Sequence, residues 1–414
     1  MKKTTIKALA LALALLGGAA LIWKSQPAAS AESAGSVLSY SSAASGAASF
    51  DESEELFTQR DLEQEPDLSE AVYLSVTDGA AICIQEPGVY VLSGTAKNAT
   101  VTVDAEGEKV QLVLDGLEIE NDGAPCIYVK SADKVFVTTV SDSSLSMSGE
   151  PATDEDKSLD GAIFSRDDLT LNGTAKLTIV SGASGVASKD DLKITGGTYV
   201  ITAAAKCLEA NDSIRIADGS FTLTAGTDAI HAENDEDDSL GYVTICGGSF
   251  QIRAGDDGIH ALAYVRIEGG SFQIAAAEGI EGTYVCIEDG SISIESWDDG
   301  INASWKSGSY KVCVEIAGGE IQIAMSAGDT DAIDSNGDVI VSGGSISITG
   351  NSSFDYDGTA QFTGVTITVN GQQLSSIPNQ MMGGMGGFGG MGGQMGGYGG
   401  QGGMGGYGGF GGRR

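Results

Sequence analysis

The chain has 414 residues, with 57 Asp and Glu against 22 Lys and Arg and a formal charge of -35. Nucleic-acid phosphates and anionic membrane surfaces both need basic patches to hold them, so neither is an expected partner. An acidic polysaccharide would be reached only through bridging cations, and the same excess of carboxylate also serves to keep a β-rich chain soluble.

The N-terminus has the pattern of an export signal. Lys2, Lys3 and Lys7 precede an apolar run from Ala8 to Trp23, and small residues at Ala29 to Ala31 offer a cleavage site, giving a signal peptide over 1–31. An uncleaved anchor is the alternative, because the run is only slightly shorter than a membrane span. Either way the expected location is secreted or cell-surface. Residues 32–69 are rich in Ser and Ala and then in acid, which predicts a mobile spacer. Strand-like alternation occupies 70–370. Its opening part, Ala71 to Met147, has long strands such as "KVQLVLDGLEI" and is expected to form the first rungs of a stack and cap its end.

From Asp190 to Thr349 one unit recurs, as in "YVTICGGSFQIR", "YVRIEGGSFQIA" and "VIVSGGSISIT". The second corner residues are Gly197, Gly219, Gly248, Gly270, Gly290, Gly319 and Gly344, separated by 22, 29, 22, 20, 29 and 25 residues. In each unit two short runs alternate apolar and polar residues about the glycine corner, and a third short run comes after them, as in "DDGIHA" from Asp256 to Ala261. Three strands per ~22 residues predict an all-β, right-handed parallel β-helix. Leucine-rich repeats lack a match here, and WD-type blades need about twice the length.

Stacking turns each equivalent position into a column. The first column is acidic: Asp228, Asp257, Glu278, Asp299 and Asp331, with Asp256, Asp298 and Asp329 beside it. Carboxylates one rung apart repel, and a hard divalent cation with all-oxygen ligands relieves them, so these eight are the candidate Ca2+ ligands. A solvated acidic edge is the competing reading. Three residues on lies a column of Glu209, His231, His260, Glu281, Asn302 and Asp334. Two histidines without a third nitrogen or sulfur ligand favour a polar ladder over a zinc site. A third column, Tyr242, Tyr264 and Tyr284, has the parity opposite to the buried Val and Ile, so it is expected to face outward. There it either stacks on sugar rings or stabilises the sheet. Arg215 and Arg266 stand nearby as contacts for a uronate. Gln251, Gln273 and Gln322 line the second strand of the unit, to bind hydroxyls or form amide ladders. Two insertions, Glu233 to Gly241 and Ser304 to Tyr310, come after the third run and should project from one edge. Trp305 and Tyr310 in the second insertion, and Trp297 beside Asp298, complete the candidate ligand-binding set.

Six cysteines are spread over different offsets of the repeat. Cys286 and Cys313 fall on neighbouring rungs but two residues out of register, roughly 8 Å apart and beyond a disulfide's reach. Residues 371–414 run into repeated GG-Met and GG-aromatic steps, a low-complexity tail unable to bury a core.

The segments "LFTQRDLEQEPDLSEA" (Leu56 to Ala71), "GVYVLSG" (Gly88 to Gly94), "YVKSADKVFVTT" (Tyr128 to Thr139) and "DGAIFSRDDLTLNG" (Asp160 to Gly173), with the repeats and the Gly/Met tail, resemble a bacterial exported carbohydrate-binding family. The resemblance implies a polysaccharide-lyase-like parallel β-helix, plant-type polysaccharide of the cellulose-like or pectic kind as partner, and bound calcium. It carries over no catalytic residue. The expected function is therefore a non-catalytic carbohydrate-binding protein. A calcium-dependent polysaccharide lyase, with Arg253 as base, and a structural surface adhesin are the alternatives.

Overall fold

The computed structural model describes residues 55–375 except 156, 328 and 329. The expected signal peptide, most of the spacer and nearly all of the Gly/Met tail lie outside them. The described residues contain strands and turns and no helix, stacked as a parallel β-solenoid of about 12 turns, each about 23 residues long. Each turn contributes one strand to each of three faces. The first two faces join around the glycine corner as a 24-stranded sheet, and the third is a separate 12-stranded sheet.

One rung shows why the sequence folds this way. Tyr264–Ile267 lies on the first face, Ser271–Ala276 on the second and Glu278–Gly282 on the third. Between the first two, Gly270 has φ +110°, and a Cβ there would meet the carbonyl oxygen of Gly248 at 3.0 Å. Only glycine takes that backbone at that approach without strain. The corner repeats at all seven predicted positions, each with positive φ.

Register is kept from rung to rung, so like packs on like. Val243, Val265, Val285, Val314 and Val339 pair in succession on the first face. On the second, Tyr199, Phe221, Phe250 and Phe272 stack inside the solenoid, with successive ring centroids 5.3, 4.6 and 4.6 Å apart. Period-two alternation places these side chains inward and their neighbours outward. The six cysteines are unbridged.

The spacer reading of 32–69 is corrected for its described end. Residues 56–67 strap across the outside of the first face, and Asp61 is fully buried there. Its Oδ1 accepts from Lys134 Nζ at 3.2 Å and from the Thr170 hydroxyl at 3.1 Å, and its Oδ2 accepts from the Thr58 amide at 2.9 Å. The Thr195 hydroxyl donates to the Asp61 carbonyl. Gln64 Oε1 accepts from the Gly173 amide at 3.0 Å. Acidic composition alone suggested disorder. The outward polar residues Lys134, Thr170, Asn172 and Thr195 supply the partners that order the strap.

Candidate functional site

The second face presents an open polar surface. Because Phe and Ile alternate inward, Thr222, Gln251, Gln273 and Ser293 point to solvent on four successive rungs and pair in register. Arg253 and Glu295 stand one outward position further along their strands. Together they line a shallow cleft of about 380 Å³. The next outward position after Glu295 is Trp297, half exposed at 50%. Trp305, on the second insertion, is 72% exposed. Both indoles are open to solvent.

The tyrosine column does leave the core, as parity requires, but its expected role as an open platform is corrected. Tyr242 and Tyr284 are buried. Tyr242 stacks on Tyr264 with centroids 4.7 Å apart, and Tyr310 from the second insertion tilts across Tyr264 at 5.2 Å. The rings thus spend their faces on one another. The two insertions project from the same edge and clasp: the Gly308 amide donates to Asp238 Oδ2 at 2.9 Å and the Ser309 hydroxyl to Asp238 Oδ1 at 2.6 Å. The basic residues are already compensated. Arg215 is buried over the Tyr242 ring and lies 3.5 Å from Asp191, while Arg266 reaches Glu288 at 2.7 Å and Glu268 at 3.3 Å. Arg215, Arg266, Tyr242, Tyr264 and Tyr310 still line one cleft of about 300 Å³.

The third face carries the titratable columns. Asp257 pairs with Glu278 across the rung, Asp228 Oδ1 accepts from the Asp257 amide at 3.1 Å, and Asp299 Oδ1 accepts from the Asp331 amide at 3.0 Å. The second column runs Glu209, His231, His260, Glu281, Asn302, Asp334 and Asp355 in unbroken register. Sequence parity kept the two columns apart, but they interlock. A carboxylate and the residue three positions on come together because the two residues between them, Ala229 and Ile230 or Gly258 and Ile259, both face inward. At Gly258 a Cβ would meet Ile274 Cγ2 at 2.5 Å. Asp257 Oδ2 therefore lies 2.7 Å from His260 Nδ1, and Glu281 lies 3.0 Å from the same nitrogen. Lys306 pairs with Glu281 at 2.9 Å, and Asn302 donates to Glu278 at 2.9 Å. The Asp-Gly-x-His spacing was the signal in the sequence.

Charge along this face is uneven. Burial opposes the imidazolium of His260, but Asp257 and Glu281 outweigh it and raise its pKa to about 9. Burial likewise opposes the Glu281 carboxylate, yet His260 and Lys306 hold it at about 2. Further along, burial pushes Glu278 up to about 8 with help from Glu281, and Asp299 up to about 6. Asp334 rises to about 7, through burial and then the charges of Asp299 and Asp355.

Of the eight predicted calcium ligands, Asp228, Asp256 and Asp257 gather with one oxygen each within 4.8 Å of one another. Two Ca–O bonds of ~2.4 Å span that distance, so the trio fits the ion. Glu278, Asp298, Asp299 and Asp331 join no such trio among the described residues, and Asp329 lies outside them.

Comparison with known proteins now places the chain. Residues 78–283 and 275–377 match the family described as carbohydrate-binding domain-containing protein. The chain belongs to this family. It is 36% identical over 139 residues to a carbohydrate-binding domain-containing protein of Acetivibrio thermocellus, covering 31% of this chain and 47% of that relative, so the match spans about half of the relative's length. Among solved structures it is similar to the polysaccharide lyase-like protein from C. thermocellum (gadolinium derivative), at TM-score 0.35 and 23% identity, over 72% of this chain and 96% of the other.

Proposed function

We propose that the solenoid is a non-catalytic module that binds extended polysaccharide, of the cellulose-like or pectic kind, at the cell surface or after secretion. The observation that carries this reading is the open ladder of Thr222, Gln251, Gln273 and Ser293, flanked by Arg253, Glu295 and the half-exposed Trp297. The ladder repeats at the ~4.8 Å strand spacing, close to the rise of one sugar in an extended β-linked chain. Amides and hydroxyls at that pitch match a run of sugar hydroxyls, and an indole beside them supplies a stacking face. Membership of a carbohydrate-binding family supports the same class of ligand. Calcium at Asp228, Asp256 and Asp257 is part of the proposal, neutralising carboxylates that otherwise crowd on one edge.

Retention of the full chain on cellulose and on polygalacturonate, with calcium and with chelator, tests it. Retention without unsaturated product is the expected result, and Trp297→Ala should weaken it about fivefold or more, the scale of one lost aromatic contact, while leaving the melting temperature unchanged. Product absorbing in the ultraviolet would instead make the protein a lyase, with Arg253 in the cleft as the first residue to replace. Calcium should raise the melting temperature of the wild type and not that of Asp256→Asn; equal shifts in both would remove the ion from this trio.

A further inference from the structure

The chain has two histidines, and the fold sets them on adjacent rungs in register, their rings stacked 4.6 Å apart at 14°. Each ring turns Nδ1 to the carboxylate three residues earlier: His231 to Asp228 at 2.8 Å and His260 to Asp257 at 2.7 Å. A carboxylate on one ring nitrogen fixes the tautomer that leaves the other nitrogen's lone pair for a metal. With each Nδ1 facing a carboxylate, the nitrogens turned to a ligand are the two Nε2 atoms. Glu233, at the start of the acidic insertion, places Oε2 3.2 Å from His231 Nε2. One donor atom each from His231, Glu233 and His260 lies within 4.8 Å of the others.

We propose that His231 Nε2, His260 Nε2 and a Glu233 oxygen form a site for a divalent transition metal of the zinc class, with Asp228 and Asp257 as the carboxylates that orient the two imidazoles. The donor set distinguishes the two ions, because imidazole suits zinc and copper whereas calcium takes oxygen, although Asp228 and Asp257 belong to both sites and touch zinc only through the rings. The carboxylates of Glu233, Asp228, Asp257 and Glu281 supply the negative charge that a dication needs. Metal–nitrogen bonds of ~2.0–2.1 Å at a tetrahedral angle bring two donors to about 3.4 Å. Binding therefore turns the two rings out of their parallel stack until both Nε2 lone pairs converge on the ion, a side-chain rotation that leaves the rungs in place. With three protein donors a fourth position remains open. It faces room: His231 and Glu233 line a cleft of about 740 Å³, in which water can take the fourth position.

The test uses the untagged full chain, stripped with chelator. Calorimetric titration should find one Zn2+ per chain, retained in excess Ca2+. With Cu2+ as probe, the paramagnetic resonance spectrum should show nitrogen coupling, for which His231 and His260 are the sole imidazole source. The His231→Gln/His260→Gln double variant should lose both signals. Glu233 is exposed on the insertion, so Glu233→Gln keeps the fold and should weaken zinc about tenfold. Asp257→Asn should weaken zinc by about 10- to 100-fold, the usual effect of removing an orienting carboxylate. Unchanged zinc affinity in the double variant, no zinc uptake by the wild type, or complete displacement by equimolar Ca2+ would each overturn the proposal.

Discussion

The aromatic column inside the solenoid and the carboxylate column outside it are built by one device with opposite energetic results. In-register stacking repeats the same residue every ~4.8 Å. For Tyr199, Phe221, Phe250 and Phe272 that repetition is favourable, since each ring meets another ring and no water. For Asp257, Glu278 and Asp299 of the first column, and Asp334 of the second, it raises the carboxyl pKa above its ordinary value, because burial and like charges both oppose ionisation. The fold relieves the acidic side locally, with His260 and Lys306 around Glu281 and with Asn302 beside Glu278. A stack multiplies what each rung contributes, including its liabilities.

Removing a member of the favourable column should have the largest effect. Phe250→Ala opens a cavity between two parallel rings and should cost about 3–5 kcal/mol, read as a lower urea midpoint. A loss under about 1 kcal/mol would mean that the stack is held by its backbone ladder alone. The strap gives the next test, since Asp61 is the counter-case of a fully buried carboxylate with a cation in reach. Asp61→Ala leaves Lys134 with Asp168, at 3.6 Å, as its ion-pair partner among the described residues and should cost about 3 kcal/mol. It should also open residues 56–67 to protease; resistance equal to the wild type would show that the strap docks without this ion pair.

The covered tyrosines come third. Tyr264→Ala removes the ring between Tyr242 and Tyr310 and should lower stability by about 2 kcal/mol, with faster amide exchange in 304–310. Lost glycan retention at full stability would return the column to the role of an open platform. The smallest effect belongs to the acidic column. The folded pKa of Asp334, about 7, lies above its ordinary value of 3.8. Its contribution is therefore fully present below pH ~3.8 and is lost as pH rises through 7. In chelator, Asp334→Asn should lose less stability than the wild type between pH 4 and 8. Parallel curves for the two proteins would mean that the charge of Asp334 is screened by solvent.

The β-solenoid was legible from residues alone, and for a physical reason. Neighbours in a solenoid are one rung apart, so the period, the glycine corner and the inward parity of residues such as Val265 and Phe272 are all encoded within ~22 residues of one another. The same logic gave the in-register columns and the shared edge of the two insertions. What tertiary structure decided depends on contacts that the period does not encode. The strap meets Thr170 and Thr195 across more than a hundred residues. The second insertion folds onto Asp238, some 70 residues back, and closes over the tyrosines. Gly258 and Ile259 both face inward and break strict alternation, bringing Asp257 to His260 and turning two separate ladders into one connected array. Repetition fixes the scaffold because it is local; burial of Tyr242, Asp61 and His260 is decided by whatever chain returns to cover them.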